Sequence, residues 1–386
     1  MTTPPLFLGV DVDGAGSHPA AAAVTGLSGA DLVSGARLAG TVRRAENAGF
    51  TFATFADAVL PAAPGATTSA RLDAVTRAAF VSRTTTALGL VPEVPTTYPE
   101  PFHVAAQLAS LDIAASGRGG WLAAVTPGDA APAAYGRAAV PDLDREARDV
   151  VQVVRDLWDS WEDDAVIRDV ATGRYVDRGR VHRVDFRGAS FSVVGPLITP
   201  RPPQGQLVVL ARAGDVAAGR PGEDLVDVAL VGGAGGAGVG GAGVAGADVA
   251  GALAAAREAR GATPGAPLAA VEIEVVLDTA DRTGRERLAE LDGTRPPAPG
   301  RALRHVGDAA GLVRLLTELA ASEEVAGVRL LPAVLDVDLP VLAREVLPAL
   351  RAARLAAAPR AGATLRDHLG LPRPAHRLAG SARQSA

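Results

Sequence analysis

The sequence predicts an α/β fold, a (β/α)₈ TIM barrel, on three observations. Short apolar runs alternate with helical patterns almost to the end of the chain. Eight such strand–helix pairs fit within 386 residues. The repeated order of strand then helix makes the strands parallel, because a parallel connection needs a crossover long enough to hold a helix. Eight units favour closure into a barrel with its active site at the C-terminal strand ends. An open doubly wound sheet is the alternative, and periodicity does not separate the two.

The elements follow in order. LFLGVDV (6–12) is the first strand. ADLVSGARLAGTVRRAENAG (30–49) reads as a helix, with Leu38, Val42 and Ala45 on one face and Gly49 as its stop. FTFATFAD (50–57) is a strand ending in an acid. A helix near 70–82 leads to ALGLVPEV (87–94), and another near 101–115 leads to GGWLAAVT (119–126). Val150, Val154, Leu157 and Trp161 share one face of a long amphipathic helix over 143–161. RYVDRGRVHRVDFRGASFSVVGPL (174–197) alternates and carries glycine breaks, a β-rich excursion before the fifth strand. QLVVLARA (206–213), DLVDVALVG (224–232), VEIEVVLDT (271–279) and GVRLLPA (327–333) complete the strands, with helices near 247–260, 308–321 and 338–354. Residues 1–378 are expected to form a single domain. Within it, 174–204 is the excursion and 232–246 a low-complexity loop after the sixth strand. TRPPAPGR (294–301) is a second loop, and 379–386 is expected to be a disordered tail.

The bulk composition narrows the function. With 48% hydrophobic and 21% charged residues the chain can build a large core. A net charge of -5 leaves no basic footprint for nucleic acid. Cysteine is absent and all 38 basic residues are arginine, which removes thiolate chemistry, Schiff bases and a P-loop lysine. The six histidines lack short metal-ligand spacing, so no metal is expected. No apolar run suits a membrane span or a secretory leader, and a cytoplasmic location is the expectation. The spacing G-x-G-x-x-G occurs at Gly233–Gly238, but a tract this rich in glycine matches many spacings. No acid follows at the next strand end by about 20 residues, as a ribose contact requires. The tract reads as an elaborated barrel loop, with a mobile cover over the rim as its alternative use.

Four segments carry a resemblance: ARLAGTVRRAENAGFTFATFAD (36–57), LGLVPEVPTTYPEPFHVAAQLASLDIAASGRGGW (88–121), LWDSWEDDA through GPL and PQG to VVLARAG (157–214), and GATLRDHLGLPRPAHR (362–377). Together they resemble the bacterial-luciferase-like flavin-dependent monooxygenases. The branch is that of nitrilotriacetate monooxygenase, the pristinamycin synthase large component and dibenzothiophene-sulfone monooxygenase. The resemblance implies reduced FMN supplied by a separate flavin reductase, O₂, a small organic substrate and, often, a homodimer. The flavin would carry the redox chemistry, and the protein would supply position, dryness and electrostatics. The same barrel with the deazaflavin F420 would transfer hydride instead. A degenerate barrel acting as partner or scaffold is a third reading.

Residue by residue, the resemblance places Asp57 at a flavin-ring contact, against the plainer role of a helix cap. Thr96 and Thr97 fall at a flavin-facing hydroxyl position. Thr126 follows the fourth strand, and Tyr135 with Gly136 match a phosphate-side Tyr-Gly. Ala213, Gly214 and Asp215 fall at the phosphate loop after the fifth strand. The family usually carries serine there; here Asp215, Val216 and Ala217 follow Gly214. Asp215 would repel a phosphate or else cap the next helix, with Arg212 or Arg220 to compensate. Leu122 replaces an asparagine after Trp121, and Trp121 itself reads as packing. His103 reads as structural, Asp112 and Arg118 as an internal ion pair or cap, and RGAS (187–190) as part of a structural excursion.

Overall fold

A computed structural model describes residues 4–60, 70–128, 130–216, 225–232, 246–261, 265–296 and 302–378. Eight strands make the wall: β1 (Phe7–Asp11), β2 (Phe52–Phe55), β3 (Gly89–Pro95), β4 (Gly120–Ala124), β5 (Val208–Arg212), β6 (Val228–Val231), β7 (Leu268–Leu277) and β8 (Gly327–Pro332). Each is parallel to the next, and β8 returns to β1 in the register Phe7–Gly327 to Val10–Leu330. The sheet therefore closes, which excludes the open doubly wound alternative. Its strands read as unbroken apolar runs because helices cover one face and the opposite wall covers the other.

One strand was not expected. Leu303–Gly307 pairs with Ile273–Leu277 of β7, beyond the stretch Leu268–Val271 where β6 pairs on the same side. The ten-residue β7 is long enough to serve both neighbours.

Register fixes which side chains enter the lumen. Phe7, Phe52, Val91, Leu122, Val208, Leu210, Val228, Leu230 and Ala270 form one apolar cluster filling its lower part. Gly327 gives Phe7 its place, since a Cβ there would sit 2.3 Å from the ring. The short helix Leu365–Leu369 closes the N-terminal end by adding Leu365 and Leu369 to this cluster. A larger cluster, which includes Val42, Val81, Leu108, Trp121, Val154 and Leu312, lies between the outer faces of the strands and the helices.

Ion pairs lock the closed end. Arg366 donates to the carbonyls of Gln206 and Leu207 and to Asp227, which also pairs with Arg155 at 2.7 Å. Burial alone would raise the Asp227 carboxyl, but Arg155 and Arg366 hold it below the usual range. Asp159 accepts from Arg201 and Gln206, both at 2.7 Å. These bonds draw the chain out of the helix Leu143–Trp158. Trp161 therefore lies beyond the helix and donates its indole N–H to Leu197 instead of continuing the helical face. The excursion holds two hairpins, Val166–Asp169 with Arg174–Val176 and Phe186–Arg187 with Ser192–Val193. Asp149 ties the second to the long helix through the Ala189 N–H. Among the described residues no helix is long and apolar enough to cross a membrane. Residues 217–224, 233–245 and 379–386, which include Arg220, nearly all of the glycine tract and the expected tail, lie outside the described residues.

Candidate functional site

The C-terminal strand ends gather the expected residues into one arc running from β2 to β5. At β3, the Thr96 hydroxyl donates to the Ala124 carbonyl at 3.0 Å, and the Thr96 N–H reaches the same oxygen at 2.8 Å. Thr96 therefore spends its hydroxyl on joining β3 to β4. The Thr97 Oγ1 lies 3.5 Å from the Thr126 N–H, which brings these two positions together. The next residue, Tyr98, holds φ at +77°, an uncommon conformation for a bulky side chain. Its ring stacks on Tyr135, with centroids 5.9 Å apart. Tyr135 follows the short helix Ala130–Ala134 and is 44% exposed, whereas Tyr98 is buried. Gly136 then turns the chain at φ +62°, and Arg137 returns to donate to the Tyr98 carbonyl at 2.9 Å. Tyr98 and Arg137 were not anticipated from sequence; their signal was adjacency to the Thr-Thr and Tyr-Gly pairs.

Asp57 is placed differently. Its carboxylate accepts from the N–H groups of Ala58 and Ala74, both at 2.8 Å. Ala74 opens the helix Ala74–Val81, so Asp57 binds that helix start while standing at the end of β2. At β5, the Ala213 N–H continues the ladder to Leu230, and the Asp215 N–H closes a turn onto Arg212 at 2.9 Å. Gly214 sits in this turn at φ +94°, where a side chain would be strained. The Asp215 carboxylate acts electrostatically on Arg212.

Below the arc the lumen turns from apolar to charged. Glu93 of β3 takes both terminal nitrogens of Arg212, at 3.0 and 3.2 Å. Arg212 also lies 3.6 Å from Glu272 of β7. Glu272 continues to Arg329 of β8, and Arg329 reaches Asp11 at 2.9 Å and the Thr54 hydroxyl at 3.0 Å. Beside this chain, Arg304 of the extra strand meets Glu274 at 2.6 Å. Burial would weaken the charge on Arg212, but Glu272 and Glu93 overrule it and hold the guanidinium above its ordinary range. Four carboxylates face three guanidiniums, so the fully ionised floor carries one excess negative charge. Partners within hydrogen-bond reach fix its rotamers, which makes it a preorganised surface. These residues were missed from sequence. Their signal was a charge at an inward, every-second position inside an apolar strand.

At the corner of β8, β1 and β2 a cavity of about 50 Å³ opens beside Asp13. Asp13 pairs with Arg71 at 2.9 Å and with Arg77. Arg77 also donates to the Ala56 carbonyl, while its buried Nε has no hydrogen-bond partner. Burial raises the Asp13 carboxyl, against the opposing pull of Arg77 and Arg71.

Four other expectations resolve as structure. Trp121 is fully buried, donates to the Val94 carbonyl at 3.0 Å and packs edge-on against Trp158. Leu122 joins the apolar lumen, so that position packs against its neighbours. His103 is exposed in the first turn of the helix Pro101–Ala114. Asp112 and Arg118 do not bond to each other. Asp112 accepts from Gly119 and Gln204, and Arg118 donates to Ser82, Thr85 and Leu88.

Comparison with known proteins agrees with this architecture. Residues 14–324 match the family model described as luciferase-like monooxygenase. A pristinamycin IIA synthase component from Streptomyces pristinaespiralis is 36% identical over 168 residues, 44% of this chain and 54% of that protein. Nitrilotriacetate monooxygenase component A of Aminobacter aminovorans is 40% identical over 157 residues, 40% of this chain and 34% of that protein. The matches thus span between a third and about half of these relatives' lengths. Among solved structures, EDTA monooxygenase from Chelativorans sp. BNC1 superposes with a TM-score of 0.77 at 21% identity, covering 96% of this chain and 99% of that one. At that identity the likeness concerns the fold.

Proposed function

The chain belongs to the luciferase-like monooxygenase family, and from that premise we propose that it is a flavin-dependent monooxygenase using reduced FMN and O₂ on a small organic substrate. The observation that carries the reading is the arc of Thr97, Thr126, Tyr98, Tyr135, Arg137 and the Gly214 turn above a rigid charged floor.

The donor set fits FMN. Arg137 and the Tyr135 phenol suit a phosphate, as a charge-assisted donor and a neutral one. The Gly214 turn lets a ligand approach backbone N–H groups without a Cβ in the way. Tyr135, stacked on the buried Tyr98, gives this side an exposed aromatic ring. When bound, reduced FMN supplies the electrons that reduce O₂ and allow one oxygen atom to pass to the substrate. The chain's own residues bind and orient. Thr97 and Thr126 offer polar atoms at the rim. Arg212, clamped by Glu93, holds a permanent positive charge at the floor. The apolar lower lumen and the Leu365–Leu369 plug keep water from the far side.

The reading includes a separate flavin reductase as electron donor, a homodimer and a cytoplasmic setting. Matched relatives include nitrilotriacetate monooxygenase and dibenzothiophene-sulfone monooxygenase, which does not favour F420 hydride transfer. Anaerobic titration of the protein with reduced FMN and with reduced F420, followed by absorbance, tests the cofactor. Saturable binding of reduced FMN is expected. Binding of F420 alone, or of neither, overturns the assignment.

A further inference from the structure

The cavity at the β8–β1–β2 corner is outside the arc assigned to FMN, and its lining is unlike the rest of the rim. Asp13, Gly14, Gly16, His18, Arg71 and Arg77 are among the residues that line it, and both arginines bond to Asp13. At about 50 Å³ it has room for roughly three to five water molecules, or for one planar carboxylate. Two guanidiniums face one carboxylate, leaving the corner with a positive charge when all three are ionised. Arg77 is 7% exposed and its Nε is buried with no partner, so one strong donor is unsatisfied. Arg71 has a third of its side chain open to solvent, so it retains donors to offer. The Ala56 carbonyl that anchors Arg77 immediately precedes Asp57, which puts this corner next to the end of the cofactor arc.

We propose that Arg71 and Arg77 form an oxyanion subsite that holds a carboxylate group of the organic substrate, with Asp13 positioning both guanidiniums. This rests on the monooxygenase reading of the neighbouring mouth. Arg71 would close over the carboxylate from the solvent side, beside the Arg77 guanidinium that also lines the cavity. Asp13 keeps the two arginines apart and sets the affinity by partly cancelling their charge.

Succinate serves as probe, with inorganic phosphate beside it to separate a carboxylate site from a general anion site. Binding is measured calorimetrically on the full chain, and FMN binding is measured separately. Saturable succinate binding is expected, stronger than phosphate. Arg71→Gln is expected to weaken it roughly 10- to 100-fold and to leave FMN affinity unchanged. Asp13→Asn removes the opposing charge and is expected to strengthen it, a sign that general destabilisation would not produce. Three results overturn the subsite: no saturable succinate binding, equal succinate binding by Arg71→Gln, or a loss of FMN affinity in that variant. If the wild type binds succinate but no FMN, the subsite stands and the cofactor reading falls.

Discussion

Replacing Asp112 with asparagine should change how stability responds to pH while keeping most of the local bonding. Asp112 is fully buried at the end of the helix Pro101–Ala114. Its Oδ1 accepts from the Gly119 N–H at 3.0 Å and from the Gln204 amide at 2.7 Å. Burial pushes its carboxyl up to about 6, against the pull of the Gln204 and Gly119 donors. An aspartate in an unfolded chain titrates near ~3.9. The folded state therefore holds this proton more tightly than the unfolded state does. The resulting stability is fully present below about pH 4 and is lost as pH rises through about 6. A displacement of about two pH units, at ~1.36 kcal/mol each, amounts to ~3 kcal/mol. Asparagine keeps one acceptor oxygen for Gly119 and Gln204 and carries no charge, so this contribution disappears. Urea unfolding of both proteins at pH 4 and pH 7 gives the comparison. The wild type should lose about 2 kcal/mol relative to Asp112→Asn across that interval; titrating groups common to both cancel. Equal pH slopes would refute the reasoning, because the buried carboxylate would then be as well solvated by its donors as by water.

Other outcomes follow from the same structure. Asp215→Ser should raise FMN affinity roughly tenfold, because two unit charges ~4 Å apart repel by roughly 4 kcal/mol at an effective dielectric of 20 before solvent screening reduces it. A flat or lowered affinity in the anaerobic titration would mean that Asp215 faces away from the phosphate. Arg137→Gln should weaken FMN binding by about tenfold or more through loss of a charge-assisted donor, with little change in unfolding free energy. Arg329→Met leaves Asp11 and Glu272 without their shared cation and should cost about 3–5 kcal/mol in urea unfolding; a loss under 1 kcal/mol would mean that the floor is well hydrated. Leu365→Ala removes a fully buried side chain from the plug and should cost about 2–5 kcal/mol. FMN affinity should persist in that variant wherever it remains folded.

The barrel was legible because each wall strand is a short apolar run, and β2, β4 and β5 lie within the stretches read as strands. Leu303–Gly307 escaped because its run, LRHVG, places Arg304 and His305 between its apolar residues, directly after a proline-rich loop. The helix Gly284–Thr294 escaped because among its eleven residues only Leu288 and Leu291 are large and apolar. The position of the rim residues was legible because each directly follows a strand or its loop in the sequence. The charged floor was not, because its bonds join residues as far apart as Asp11 and Arg329, so a lone inward charge in one strand does not reveal its partner in another. The motifs that made the family recognisable have a different role from the one their specificity suggests. LWDSWEDDA, PQG and LRDHLGLPRP supply Asp159, Gln204 and Arg366, which lock the end of the barrel opposite the mouth. What identifies the chain is thus mostly scaffold, and what would select a substrate lies at the other pole.

The helix Leu365–Leu369 sits across the base of the cylinder, and the apolar side chains above it leave no passage through the middle. Everything that reaches the charged floor must come and go through the same doorway. Reactant and product would queue at one threshold, so the pace of turnover can be governed by departure as much as by chemistry.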